Sequence, residues 1–155
     1  MELKIVCSDP KLMPEYSYDN AAAFDLKASG EFIIDLDYKR EEITADEFIL
    51  KSGERVLVKT GLKMGYPKGT WGNIRGRSGL AMKDGISILG GVIDESYTGE
   101  HGVIMLNASK KNFIIKKYDK IAQLIIAPYF HPKINKVDSL DATIRGEKGF
   151  GSSDK

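Results

Sequence analysis

Apolar residues alternate with polar ones in a series of short runs that extends along most of the chain. In the run ELKIVCS the apolar positions are Leu3, Ile5 and Cys7, and the run RVLVKT places Val56 and Val58 on one side. A period of two residues is typical of β-strands that bury one face, and turn-forming glycines and serines separate the runs. The pattern predicts an all-β protein, an antiparallel sandwich or barrel of which the jelly roll is one form.

Helix signals are confined to two short segments. Residues 78–84 predict one or two helical turns that end at Gly85, because glycine is a common C-terminal cap. The segment from Thr44 to Glu47 has the spacing of a capping box and predicts a short helical turn before Phe48. We therefore expect a single β domain with little helix and no internal linker.

Composition limits the classes of partner. The 155 residues suit one domain, and 23 Lys and Arg against 22 Asp and Glu leave a net charge of +1. This balance gives no overall attraction to nucleic acid or to an anionic membrane, so neither is expected as a partner. Met1 begins a mixed segment rather than a signal peptide, and the single cysteine fits a reducing compartment. We expect a cytoplasmic location, or the host-cell cytoplasm for a viral protein.

Two segments carry residues suited to chemistry. In GRSGLA, Arg77 and Ser78 begin the expected helix, where N–H, hydroxyl and guanidinium donors suit phosphate oxygens, although such turns are common. In GGVIDESYTGEHG, Asp94 follows an apolar pair, so a strand could bring its carboxylate to a partly buried place as a general base. Tyr97 could stack on a sugar or base, and the backbone of a tight hairpin could pair with a flat heterocycle. The alternative is a plain hairpin with an exposed acid and a packed tyrosine.

The C-terminal segment IRGEKGFGSSDK shows no strand periodicity and is expected to be mobile on its own. It carries Arg145 and Phe150, a guanidinium and an aromatic ring, among glycines that let backbone amides approach a ligand. A ligand-binding arm and a frayed terminus are the two interpretations. The lysines between residues 110 and 120 are expected to form a solvated face.

Five segments in order, AAAFDL, GRSGLA, GVIDESYTGE, IAQLI and RGEKGFGSS, resemble the five motifs of the trimeric dUTPase family, the deoxyuridine triphosphate nucleotidohydrolases. The resemblance extends from about Ala21 to Ser153. It implies a jelly-roll-like β-barrel or sandwich over residues 1–144 and a flexible arm over residues 145–155. It also implies a homotrimer with active sites at the subunit interfaces. Such an enzyme hydrolyses dUTP to dUMP and pyrophosphate with Mg²⁺, which limits uracil incorporation into DNA and supplies dUMP.

The resemblance implies a role for each matching residue. Asp94 would position the water that attacks the α-phosphate, and Tyr97 would pack under the deoxyribose. Asp25 would support the metal and phosphate region only indirectly. The other substrate-binding residues implied are Arg77, Ser78 and Gly79 at the triphosphate, Gly91, Val92, Ile93 and Gly102 in the uracil-reading segment, Gln123 near the α-phosphate, and Arg145, Phe150, Gly151 and Ser152 in the closing arm.

The chain departs from the family pattern at several points. Ala23 and Tyr118 stand where the family usually has glycine, and Asp154 would bring negative charge towards the γ-phosphate. Residues 35–50 look longer than the usual strand connection. We expect a surface excursion there, with an added protein-partner site as the alternative.

Two other functions are alternatives to dUTP hydrolysis. A dCTP deaminase shares the fold but would carry a different serine-rich phosphate motif and a glutamate base. A dUTPase-like protein could instead serve chiefly to regulate a partner, but the intact Asp94 and the complete arm favour catalysis. GRSGLA and GVIDESYTGE fit the hydrolase better than the deaminase.

Overall fold

A computed structural model of the chain describes residues 1–36 and 39–147. Within these residues the chain forms one short α-helix, α1 (Ser78–Asp84), and a 3-10 turn at Pro10–Leu12. The strands are β1 (Lys4–Cys7), β2 (Phe24–Lys27), β3 (Glu31–Leu36), β4 (Lys39–Thr44), β5 (Glu47–Leu50), β6 (Arg55–Gly65), β7 (Thr70–Arg75), β8 (Ile86–Leu89), β9 (Val92–Ile93), β10 (Glu100–Asn107), β11 (Phe113–Lys116) and β12 (Lys120–Pro128). No helix in the described ranges is long and apolar enough to cross a lipid bilayer.

The strands form two larger antiparallel sheets and one separate pair. The first sheet has the order β4-β3-β6-β10-β8, and β1 pairs with the C-terminal end of β6. The second sheet has the order β2-β12-β7-β9, and β5 pairs with β11. The predicted all-β, jelly-roll-like sandwich with one short helix is confirmed.

Side chains from all three sets of strands meet in one apolar core. In β10 every second residue is buried, including His101, Val103 and Met105. The rings of Phe32 in β3 and Phe48 in β5 stack with their centroids 4.8 Å apart. Burial of apolar surface, worth about 25 cal/mol per Å², holds these sheets together and fixes the loops at their edges.

The predicted helix and its cap are confirmed. Gly85 ends α1 with φ of 66°, and its N–H donates to the carbonyl of Leu80. A Cβ atom at Gly85 would lie 2.9 Å from Cβ of Ser109, so the position needs glycine for space as well as for its backbone conformation.

The helical turn predicted at residues 44–47 is wrong. Glu47 begins β5, which pairs with β11 along its whole length. This long-range pairing and the stacking of Phe48 on Phe32 outweigh the local preference of a capping-box sequence.

The surface excursion expected at residues 35–50 consists, in the described part of that range, largely of paired strands. β3 and β4 pair in antiparallel register, and β4, with the sequence KREEIT, is the mostly exposed edge strand of the first sheet. Charged side chains on an edge strand oppose pairing with other chains. A protein partner at this edge stays a prediction.

The prediction of a tight hairpin at residues 90–102 is wrong, because the strands of this segment do not pair with each other. β8 and β10 pair with each other in the first sheet, whereas β9, between them in sequence, pairs with β7 in the second. The segment therefore bridges the two larger sheets, because Val92 and Ile93 complete the edge of one while the residues from Glu100 onward enter the other.

Tyr118, which stands where the family usually has glycine, has a φ of 72°. An L-residue in this left-handed region is disfavoured by roughly 1–2 kcal/mol. Its hydroxyl donates to Oδ2 of Asp9 at 2.8 Å, and the ammonium groups of Lys11 and Lys117 lie 5.4 and 5.2 Å from the ring centroid. These side-chain contacts, which glycine could not make, offset the backbone strain.

Candidate active site

Asp94 lies in a cleft of about 510 Å³ where residues of both larger sheets meet. This volume is in the range of small-molecule sites, roughly 300–1,000 Å³. Six of the predicted site residues line it: Gly91, Val92, Ile93, Asp94, Tyr97 and Gly102. The side chain of Asp94 is exposed, so the expected partial burial is wrong for the isolated subunit. Desolvation of this carboxylate requires the ligand or another chain.

Two glycines shape the cleft. Gly91 has φ of 103°, and a Cβ there would lie 2.5 Å from the carbonyl oxygen of Ile74. Its own carbonyl accepts a hydrogen bond from the N–H of Ile74 at 2.8 Å, which docks β9 on β7. At Gly102 a Cβ would lie 2.7 Å from Cδ2 of Leu57, beside an irregularity in the pairing of β10 with β6. A side chain at either position would displace the cleft wall.

Tyr97 closes a tight turn after Asp94. Its N–H donates to the carbonyl of Asp94 at 3.0 Å, and its hydroxyl donates to the carbonyl of Glu100 at 2.9 Å. The ring packs edge-to-face on His101 with centroids 5.6 Å apart, yet 44% of the residue remains exposed. The ring is thus held at its far end while its surface stays open to a ligand.

Glu95 is a further residue of this segment that the sequence did not single out. One carboxylate oxygen, Oε2, accepts from the N–H of Gly69 at 2.7 Å and from the hydroxyl of Tyr129 at 2.8 Å. These two donors, the backbone N–H first, lower the pKa of Glu95. The residue beside Asp94 is therefore tied to the β6–β7 turn and to the segment that follows β12.

A second cleft, of about 430 Å³, gathers five more of the predicted residues. The predicted residues that line it are Asp25, Arg77, Ser78, Gly79 and Gln123, and Ala23 lines it as well. Arg77 is the N-terminal cap residue of α1, so the guanidinium, the Ser78 hydroxyl and the first N–H groups of the helix lie at one end of the cleft. Such donors suit the oxygens of a phosphate chain.

Asp25 holds two cations in this second cleft. Its Oδ1 lies 3.0 Å from Nε of Arg77 and its Oδ2 lies 2.8 Å from Nζ of Lys120. Nη1 of Arg77 also donates to the carbonyl of Lys120 at 2.9 Å. Lys120, which the sequence placed on a solvated face, is therefore part of the cleft framework, and Asp25 orients cations.

Gln123 supports the turn that precedes Arg77. Its Nε2 donates to the carbonyl of Gly76 at 2.9 Å. A side-chain amide has two N–H donors, so one remains for a ligand. In the β12 register Gln123 stands opposite both Asp25 and Arg75, which places it at the centre of the second sheet.

The two clefts have no lining residue in common within residues 1–36 and 39–147. One subunit thus presents Asp94 and Tyr97 on one surface and Arg77 and Ser78 on another. Arg145 is exposed and lines neither cleft. The predicted site residues Phe150, Gly151 and Ser152 lie outside the described residues.

The described residues do not form a protein-built site for Mg²⁺. They contain no group of three or more His, Cys, Asp or Glu side chains arranged to hold a metal. Asp25, which lines the second cleft, is engaged by Arg77 and Lys120. The second cleft offers donors for anions rather than a set of oxygen ligands for a cation.

The two clefts lie on a jelly-roll-like β-sandwich, and each is lined by both acidic and basic side chains. The family model described as dUTPase matches residues 43–154. The chain is 38% identical to the deoxyuridine 5'-triphosphate nucleotidohydrolase of Crocosphaera subtropica over 99% of each chain. It is 47% identical to the Variola virus enzyme of the same name, over 71% of this chain and 74% of that one. The chain belongs to the dUTPase family.

The solved structures agree in fold. The dUTPase of Staphylococcus bacteriophage 80alpha with dUPNHPP superposes with a TM-score of 0.77, at 25% identity and 99% coverage of both chains. The alternative of a dCTP deaminase gains no support from these similarities.

Proposed function

We propose that the protein hydrolyses dUTP to dUMP and pyrophosphate at a composite site, in which the Asp94 cleft of one subunit faces the Arg77 cleft of another. The observation that carries the proposal is that Asp94 and Tyr97 share a cleft that also holds the open edge of β9. A planar base, a sugar and an attacking water can be placed there together. Membership of the dUTPase family supports the choice of dUTP.

The base and sugar are assigned to the Asp94 cleft. β9 is the edge strand of the second sheet, so one of its edges has backbone N–H and C=O groups that pair with no strand and can pair with uracil. The exposed ring of Tyr97 would pack against the deoxyribose. The 2′-hydroxyl of a ribose would collide with the ring. A close fit of the uracil edge against the backbone would also reject a 5-methyl group.

The phosphates are assigned to the Arg77 cleft. Arg77, Ser78 and the N–H of Gly79 would neutralise and bind the phosphate oxygens, and Gln123 would reach the α-phosphate. Arg145, Phe150, Gly151 and Ser152 are proposed to close over the nucleotide as an arm.

The reaction needs one oriented water. Asp94 accepts a proton from that water as the water oxygen attacks the α-phosphorus. The bond from the α-phosphorus to the oxygen that bridges it to the β-phosphate breaks. The electron pair leaves with pyrophosphate, whose charge the cations of the Arg77 cleft neutralise. Mg²⁺ is proposed to enter with the triphosphate as part of the substrate, which is consistent with the engaged state of Asp25.

A homotrimer is proposed because one chain does not complete the site. The segment that follows β12 also exposes a series of apolar side chains: Phe130, Ile134, Val137, Leu140 and Ile144. Exposed apolar surface on this scale favours burial in an assembly, and a closed three-fold arrangement repeats one interface three times.

A nucleotide panel tests the proposed function. Pyrophosphate release is measured with dUTP, UTP, dTTP and dCTP, and ammonia release is followed with dCTP in parallel. We expect pyrophosphate from dUTP far faster than from the other three. Ammonia from dCTP would favour the deaminase alternative, and the absence of turnover with intact nucleotide binding would favour a regulatory role.

A further inference from the structure

His101 lies between two tyrosines, one of which, Tyr97, lines the Asp94 cleft. It is fully buried in β10, with its ring centroid 5.7 Å from that of Tyr66 and 5.6 Å from that of Tyr97. Tyr66 is itself buried, whereas Tyr97 is 44% exposed. The imidazole thus supports, from inside the protein, the one aromatic ring that the cleft offers to a sugar.

The imidazole has one hydrogen bond and one unsatisfied nitrogen. Nε2 of His101 lies 2.8 Å from the hydroxyl of Tyr66, and Nδ1 has no hydrogen-bond partner among the described residues. The Tyr66 hydroxyl in turn packs against Gly72 of β7, where a Cβ would overlap it. Since Gly72 pairs with Ile93, the contact chain runs from His101 to β9.

The surroundings of the imidazole favour its neutral form. Tyr66 faces it from the end of β6 and Tyr97 from the loop before β10, and burial raises the pKa of Tyr66. The neighbouring acid, Glu100, points to the other face of β10, where it pairs with Lys59 at 3.5 Å. With no carboxylate against it, burial lowers the pKa of His101, and nearby backbone groups of Gly99 and Leu62 oppose this only in part.

A charged imidazole would disturb this arrangement. Both ring nitrogens would then be donors, and a positive charge would stand in a buried place between the rings of Tyr66 and Tyr97. The ring would have to shift towards solvent or draw water inward, and either change would disturb its contact with the ring of Tyr97. The Tyr97 hydroxyl also packs closely on Gly99, because a Cβ there would lie 2.6 Å from it.

We propose that His101 is a positioning residue whose neutral imidazole fixes the ring of Tyr97 and thereby the discrimination of deoxyribose from ribose. The proposal rests on the function proposed above, because it takes Tyr97 as the sugar platform. His101 does not touch the substrate. It acts through the plane and depth of the tyrosine ring.

The test compares the ratio of kcat/KM for dUTP to kcat/KM for UTP in four proteins. His101→Leu keeps the bulk of the ring but loses the bond to Tyr66, and His101→Gln keeps an amide that can bond the hydroxyl. Met105→Val shortens another fully buried side chain of β10, away from Tyr97, and is the matched control. We expect the ratio to fall about tenfold in His101→Leu, to recover in part in His101→Gln and to stay unchanged in Met105→Val.

A pH profile of the unmutated protein gives a second readout that depends on no variant folding. A pH effect on a step common to dUTP and UTP cancels in the ratio, whereas protonation of His101 does not. In the unmutated protein we expect the dUTP-to-UTP ratio of kcat/KM to be constant above pH 7 and to fall at acidic pH. In His101→Leu we expect the same ratio to be independent of pH. If UTP is hydrolysed too slowly for its kcat/KM to be determined, its affinity is measured instead from competitive inhibition of dUTP hydrolysis.

The outcomes separate the two proposals. Unmutated protein that does not hydrolyse dUTP contradicts the proposed function itself. Normal hydrolysis with an unchanged ratio in His101→Leu, or an equal loss in Met105→Val, overturns the role of His101 alone. A pH-independent ratio down to the pH at which the protein unfolds overturns it as well.

Discussion

Nε of Arg77 lies 3.0 Å from Oδ1 of Asp25, and the other oxygen of that carboxylate lies 2.8 Å from Nζ of Lys120. The side chain of Asp25 is only 16% exposed, so this arrangement is partly shielded from solvent. One carboxylate therefore sets the direction of a guanidinium and prevents two cations from repelling each other. From its position at the second cleft, we expect it to influence phosphate binding without direct contact to the substrate.

Replacing Asp25 with Asn should weaken substrate binding more than turnover. The amide keeps the shape of the carboxylate but leaves Arg77 and Lys120 without a counter-charge, so the guanidinium loses its fixed direction. We expect KM for dUTP to rise about tenfold with a smaller change in kcat. Steady-state kinetics measures both constants.

Glu47→Gln is the matched control for this change. It also removes one carboxylate from an ion pair with a lysine, but both side chains are more than half exposed and the pair lies outside the two clefts. Exposed pairs contribute little, so we expect no change in KM. An equal rise in KM in both variants would mean that general charge, rather than the Asp25 geometry, is responsible.

Asp94→Asn should abolish most of the turnover while leaving the fold and nucleotide binding intact. The side chain is exposed and forms no hydrogen bond or ion pair with residues 1–36 and 39–147, but an amide cannot accept the proton of the attacking water. We expect kcat to fall by about 10²–10⁴. Titration with the non-hydrolysable analogue dUPNHPP is the control for binding. Near-normal turnover would remove Asp94 from the role of base.

Gly91→Ala should displace β9 and impair activity together with stability. The new Cβ would meet the Ile74 carbonyl at 2.5 Å and would hold an L-residue at φ of 103°. Strain of this kind costs about 1–3 kcal/mol, and we expect unfolding in urea to detect it. Gly90→Ala is the control, because its φ is also positive but no atom lies within 4 Å of the added Cβ. Equal loss of kcat/KM in both variants would rule out the specific contact with Ile74.

How far the sequence predicted the fold depended on the range of the interactions. Period-two alternation and Gly85 are local signals, and both were confirmed. The turn at residues 44–47 was mispredicted because the competing interactions, the pairing with β11 and the stacking of Phe48 on Phe32, join residues far apart in the chain. The pairing of β9 with β7 rather than β10 was missed for the same reason.

How far the sequence predicted the candidate site also depended on the range of the interactions. Asp94, Tyr97, Arg77 and Gln123 lie in motifs with a recognisable order, so they could be named in advance. His101, Glu95 and Lys120 act through partners 35, 26 and 95 positions away or more, and nothing in their local sequence marks them. The family resemblance implied active sites at subunit interfaces, and the single chain presents the predicted residues in two separate clefts.

Burial of His101 should make stability depend on pH in a defined window. The ordinary pKa of histidine is 6.5, and that of His101 is lowered in the folded protein, so the unfolded chain binds the proton more readily. Stability is therefore fully present above about pH 6.5 and falls as pH drops from there through the lower, folded pKa. Urea unfolding at fixed protein concentration between pH 8 and pH 5 measures this. His101→Leu should be flat over the same window, and a matching slope in that variant would assign the effect to another group.

The composite site is tested most directly by mixing subunits. Asp94→Asn and Arg77→Gln each inactivate every site of their own homotrimer, but each carries an intact version of the other cleft. Co-expression of the two variants with different tags, followed by two-step purification, yields mixed trimers whose dUTP hydrolysis is then measured. If the two clefts of a site come from different subunits, one of the three sites in each mixed trimer regains both intact clefts, and activity returns to about a third of that of the unmutated protein. Mixed trimers no more active than the two variants alone would contradict a site shared between subunits.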